Sequence, residues 1–284
     1  PAARSRGPDG RFPPCDLTRT PCDPAQGANK VRVDGAHTLA QVEAQMAYLE
    51  KRRGPRAHAQ LIGGEVSLLD PDDHAAALLA MRAHGREPMS MTHGDFDPEY
   101  LKALVPGPDG RPRLTRVPFA AHFDSLRGGR RGAPRPHTAA ELSPFRAGFV
   151  RMFTDLRHEH GVRSYLANNM TVTPANLDQV AGVVADVSTM GYSMMSFQPA
   201  AFVGDDRRWK EGYRDVDIDA VWAQIESGMG QKIAWEAVHF VDPRRNRTAF
   251  GFRFGPPRVP FLAPPSPVAL TPPPPSLPPP GPPA

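Results

Sequence analysis

The sequence predicts an α/β fold: a partial (β/α)6 TIM-type barrel of parallel strands, followed by a disordered proline-rich tail. Three observations predict it. Short apolar segments alternate with amphipathic ones through the middle of the chain. Helix starts recur as a capping residue followed by proline, and helix stops recur as glycine. The apolar segments are apolar on both faces, as strands of a buried parallel sheet are. An open doubly wound sheet shares these features and is the alternative.

Taken in order, Thr38 with Gln41 reads as a capping box before LAQVEAQMAYLEKRR, which Gly54 ends. AHAQLIGG is the first clear strand. Asp70-Pro71 opens the next helix and Gly85 closes it, and PMSMTH is the strand that follows. Asp97-Pro98 opens a helix over 97–105, and RVPFAAHF follows after a loop. Ser143-Pro144 opens a helix that runs to Gly161, before VRSYLANNMTV. Thr173-Pro174 opens another that runs to Gly191, before YSMMSFQP. These are five clear strands with about six helices between and around them, and a strand ahead of Cys15 would make six strands. DPRRNRTAFGF, Asp242 to Phe252, reads as a final turn and strand closing the barrel edge.

The ends differ from this middle. Residues 1–14 form a poorly structured opening, 15–254 the barrel, and 255–284 the tail. Proline fixes φ and lacks a backbone donor, so PPRVPFLAPPSPVALTPPPPSLPPPGPPA is extended and solvated, or offers a ligand for an aromatic groove. The chain starts at Pro1, and both ends carry the Arg, Pro, Ala and Gly excess that a shifted reading frame in high-GC DNA encodes. The net charge is +4, and 40% of residues are hydrophobic, enough for a sizeable core. That charge suits an acidic small molecule and is too weak to argue for nucleic acid. No apolar run reaches the length that spans a bilayer, and no signal segment opens the chain, so a cytoplasmic protein with no membrane partner is expected.

Both cysteines lie in CDLTRTPC, Cys15 to Cys22. The residues alone leave three readings: a metal loop with a ligand missing, a disulfide, or two plain thiols. A reducing compartment argues against the disulfide.

In barrels, chemistry gathers where strands end. Those ends carry Gly63-Gly64-Glu65, Thr92-His93-Gly94, His122-Phe123-Asp124-Ser125, Asn168-Asn169 with Thr171, and Gln198-Pro199. A few donors and acceptors on one rim are what a pocket needs. Two glycines let a ligand approach the backbone, and Glu65 beside them suits a cationic group. The loop RGGRRGAPRPH, Arg127 to His137, is basic, and reads as a solvated charge run or a contact for an acidic substrate or RNA phosphate. His158 and His160 end a helix and suit its negative end. The methionines of SMT and SMMSF read as core filler.

In this order and spacing the chain resembles the radical S-adenosylmethionine (SAM) superfamily over roughly residues 15 to 200. The residues that carry the resemblance are Gly63-Gly64-Glu65, about forty residues after Cys22, and the segments MTHG, HFDSL, TVTPANLDQV and MMSFQPA. Val66 stands where the family usually has proline. The family's C-x-x-x-C-x-x-C pattern aligns on Cys15 and Cys22, with Arg19 in the middle place. The resemblance implies a 4Fe-4S cluster held in part by Cys15 and Cys22, and SAM held by Gly63, Gly64, Glu65, Thr92, Asp124 and Asn169. It implies reductive cleavage of SAM to start radical chemistry on a small-molecule or peptide substrate, with a flavodoxin or ferredoxin as electron donor. It names no catalytic residue. Arg19 has no lone pair for iron, and Asp16 or Asp23 would be a poor substitute for a thiolate.

Three other readings compete. One is a paralogue without a cluster that keeps the barrel as a SAM-binding scaffold. Another is a metal-dependent hydrolase-type barrel with its metal on His93, His122 and Asp124, although no HExxH pattern supports it. The last is an interaction protein working through the proline tail.

Overall fold

Six parallel strands in one sheet, ordered along the sheet as they occur in the chain, set the architecture. The computed structural model describes residues 3–4, 18–19, 33–54, 58–62, 64–107, 109–200, 216–235 and 247–251. The chain divides into two units, Pro1–Gly230 and Gln231–Ala284. In the second, the Arg247 guanidinium lies 4.0 Å over the Trp235 ring. Cys15, Cys22, Gly63, the proline tail and most of Asp242 to Phe252 lie outside the described residues.

The strands are β1 (Ala3–Arg4), β3 (His58–Leu61), β4 (Glu87–Thr92), β5 (Arg116–His122), β7 (Arg163–Val172) and β8 (Met194–Pro199). A separate antiparallel pair joins β2 (Thr18–Arg19) to β6 (Arg127–Gly128), with Arg19 opposite Arg127. The helices are α1 (Gly35–Arg53), α2 (Pro71–Ala83), α3 (Pro98–Leu104), α4 (Ser143–His160), α5 (Val180–Val187) and α6 (Ile218–Met229). The main sheet curls into a half-barrel. A doubly wound sheet would need its strand order to reverse at an internal switch point, and this order does not, which excludes the alternative. The sixth strand ahead of Cys15 is β1, two residues paired with Ala59 and Gln60. Among the described residues, no helix is long and apolar enough to cross a membrane.

The helix starts follow local chemistry. Asp70 and Asp97 cap α2 and α3 through the amides of Asp72 and Glu99, with proline in the first turn. Three expected starts differ. Asp34 caps α1 through the His37 amide, so Thr38 and Gln41 fall inside the helix, and the Thr38 hydroxyl donates to the Asp34 carbonyl. Ser143 caps nothing: a 3-10 turn over Ala140–Leu142 leads into α4, and its hydroxyl donates to Asp186 instead. Thr173-Pro174 opens a turn closed by Asn176, whose side chain accepts the Thr173 amide at 2.8 Å, so α5 begins only at Val180.

Two apolar clusters lie in the barrel unit. The larger is aromatic at its centre: Phe119, Phe149 and Phe153 meet with ring centroids 5.0 and 5.1 Å apart along the chain of contacts. The smaller is aliphatic, built from Met170 and Val172 of β7 against Val180, Val183, Val184 and Val187. Alternate residues of β7 therefore face the helices, and Asn169 and Thr171 have the opposite parity, toward the inside of the barrel.

Candidate functional site

Glu65 follows β3 and Gly64, whose φ of 56° favours glycine. Its carboxylate is buried, yet every part of it is used. Oε1 accepts from the Ser67 amide, the Ser67 hydroxyl at 2.8 Å and the Thr92 hydroxyl at 2.6 Å. Oε2 accepts from the His93 amide at 2.7 Å and lies 3.4 Å from His93 Nε2. Thr92 in turn accepts from the Gly94 amide, and His93 Nδ1 accepts from the Asp95 amide. Gly64, Glu65 and Thr92 thus come together in a knot tying the end of β3 to the end of β4. Gly94 closes it at a φ of 73°, where a Cβ would lie 2.8 Å from the Phe123 ring.

A second group forms at the ends of β5 and β7. His122 Nε2 lies 2.8 Å from Asp124 Oδ2 and 3.2 Å from the Thr171 hydroxyl. Asp124 also accepts from the amides of Leu126 and Thr171. Asn169 is the registered partner of His122 on one side and of Ser196 on the other. Its Oδ1 is buried and has no hydrogen-bond partner among the described residues. Asn168 is buried too, and neither polar atom of its side chain has a partner among the described residues. A buried polar atom left open costs free energy, which a water or a ligand group bonded to it would recover.

Arg130 joins the two groups. It comes from the basic loop read as solvated, yet it is 2% exposed. Its Nη2 donates to the carbonyl of His93 at 2.6 Å and reaches that of His122 at 3.4 Å, bridging the ends of β4 and β5. Its guanidinium lies 4.8 Å from the Phe123 ring centroid and 5.4 Å from that of Phe145. Burial, with the Arg127 charge, pushes it down to about 10 against the pull of Asp95, so it stays a cation at neutral pH.

The hydrolase-type reading is corrected here. Among the described residues, no three His, Cys, Asp or Glu side chains group as metal ligands. His93 is held by Glu65 and His122 by Asp124, with a guanidinium between their carbonyls where a metal cation would be repelled.

Two further residues escaped the sequence reading, although their spacing signals them. Arg146 precedes Phe149 and Phe153 at helical intervals, on the apolar stripe of α4, and is fully buried against Asp186 at 3.1 Å. His74 stands on the stripe of Leu78 and Met81 in α2. It bonds Tyr100 and Ser90 at 2.8 and 2.9 Å, and burial lowers it to about 3. Arg130 had no such signal, because only tertiary contacts bury it.

No protein-family model matches the chain, and no curated protein does. Among solved structures, SuiB of Streptococcus suis is similar with a TM-score of 0.47 at 13% identity, over 75% of this chain and 43% of that one. The protein named anSMEcpe, solved with bound AdoMet and a Cp18Cys peptide, is similar with a TM-score of 0.43 at 13% identity, over 75% of this chain and 54% of that one. Solved with AdoMet alone it gives 0.41 at 14% identity, over 78% and 57%. The chain spans about half the length of these solved chains.

Proposed function

We propose that the chain is a radical SAM-type protein whose barrel rim binds S-adenosylmethionine. The observation that carries the reading is the buried, unpartnered Oδ1 of Asn169, registered beside His122 on a rim that also holds Gly64, Glu65, Thr92 and Asp124. An open acceptor suits a ribose hydroxyl or an amino group, both of which SAM carries. The order of Gly63-Gly64-Glu65, MTHG, HFDSL and the two asparagines supports the same reading.

Within it, the roles of the rim residues divide. Asn169 accepts from the ligand. Gly64 opens the backbone to it. Glu65 and Thr92 hold the rim in shape, since the carboxylate is already bonded to donors of the chain. Asp124 orients His122.

A 4Fe-4S cluster does not fit the residues present. It needs three thiolates, and the sequence holds two cysteines, with a guanidinium residue in the middle place. This favours the scaffold form of the reading, in which SAM binds without reductive cleavage. The full reaction, with a flavodoxin or ferredoxin as electron donor, requires a third ligand from elsewhere.

Anaerobic iron–sulfide reconstitution, with iron counting, EPR and calorimetric titration of SAM, tests this. The expected outcome is SAM binding without a full complement of iron, and a higher iron count in Arg19→Cys. About four irons per chain in the unchanged protein would restore the cleaving enzyme. Failure to bind SAM before and after reconstitution would overturn the reading.

A further inference from the structure

Two arginines beyond β5 have buried N–H groups that no acceptor among the described residues takes. Arg130 uses Nη2 on the carbonyls of His93 and His122, but among the described residues its Nη1 is buried without a partner, as is the Nε of Arg127 on β6. Among the described residues, neither forms an ion pair. The carboxylates around Arg130 have other partners: Asp95 takes Arg131, Asp124 takes His122, and Glu65 takes its ring of donors. A buried guanidinium N–H without an acceptor is costly, and an oxyanion is the ligand whose geometry it matches.

We propose that Arg127 and Arg130 form a seat for an oxyanion of a second ligand, a carboxylate or phosphate group carried by the substrate. Arg130 stands at the ends of β4 and β5 through the His93 and His122 carbonyls, and Arg127 is near enough that its charge is felt there; the seat uses none of the atoms assigned to SAM at Gly64 and Asn169. It gives the unknown substrate one chemical property, a negative charge at the end held against the arginines.

Thermal unfolding of the full chain tests it, in inorganic phosphate and separately in succinate, against chloride at equal ionic strength. At least one anion is expected to raise Tm saturably, as a ligand of the folded state does. Arg127→Gln is expected to weaken that anion about tenfold or more. The Arg127 side chain makes no hydrogen bond among the described residues, so this change leaves the fold its contacts. Arg131→Gln, at a side chain 70% exposed, leaves the affinity unchanged. No rise in either anion, or an equal affinity in Arg127→Gln, overturns the seat. Displacement of the bound anion by SAM overturns it as a second site, because the arginines would then hold SAM's own carboxylate. Phosphate binding without SAM binding upholds the seat and removes the SAM reading.

Discussion

Glu65 and Asn169 are both buried polar side chains at the ends of parallel strands, and they are in opposite states. Glu65 accepts from Ser67, Thr92 and His93 and has nothing left to offer. Asn169 keeps a buried oxygen with no hydrogen-bond partner among the described residues. Burial alone therefore does not mark a functional group; the count of bonds made and left open does. A saturated group holds the rim, and an open one is free to recognise something. Arg130 combines the two states, with one nitrogen bonded across β4 and β5 and the other open.

The comparison can be broken from the saturated side first. Glu65→Ala leaves four donors, from Ser67, Thr92 and His93, without their acceptor in a closed site. It should destabilise the fold by about 3 to 5 kcal/mol, measured by urea denaturation. A loss under about 1 kcal/mol would mean that the knot is not structural. Gly94→Ala strains a positive φ and drives a methyl against Phe123. It is expected to cost about 2 to 4 kcal/mol. A stability equal to that of the unchanged protein would show the knot to be looser than it looks.

His74 gives a pH-dependent version of the same test. In the folded chain burial holds it at about 3, against 6.5 in the unfolded chain. Between those values the unfolded chain binds the proton and the folded chain does not. Its contribution is therefore present above 6.5 and lost as pH falls. The expected loss is about 2 kcal/mol from pH 6.5 to pH 5, at about 1.4 kcal/mol per unit. Denaturation curves at the two pH values read it, and His74→Gln should flatten the slope. The smallest stability effect belongs to the open group. Asn169→Ala removes an oxygen without a partner among the described residues, so it should change stability by less than about 1 kcal/mol; under the proposed function it also weakens SAM about tenfold. A large loss of stability with SAM affinity intact would reverse the contrast between the two residues.

Much of the fold was legible because its signals are local. Asp70-Pro71 and Asp97-Pro98 start helices through bonds made within one turn, and the apolar runs around Phe119 and Leu166 need only their own composition to read as strands. The misplaced starts at Thr38, Ser143 and Thr173 were decided by competing partners, Asp34, Asp186 and Asn176. Rim positions were legible in the same way, since they follow from where strands end. What each rim residue bonds to was not.

The parallel α/β plan, the residues at the strand ends and the presence of two cysteines were all readable before any folding was considered. Tertiary structure alone decided which buried groups are satisfied and which remain open, and that Arg130 enters the protein at all. The physical reason is distance along the chain. Capping, turn chemistry and hydrophobic periodicity act over a few residues. The most distant partner of both Glu65 and Arg130 is His93, 28 and 37 residues away, and it meets them only when neighbouring strands pair.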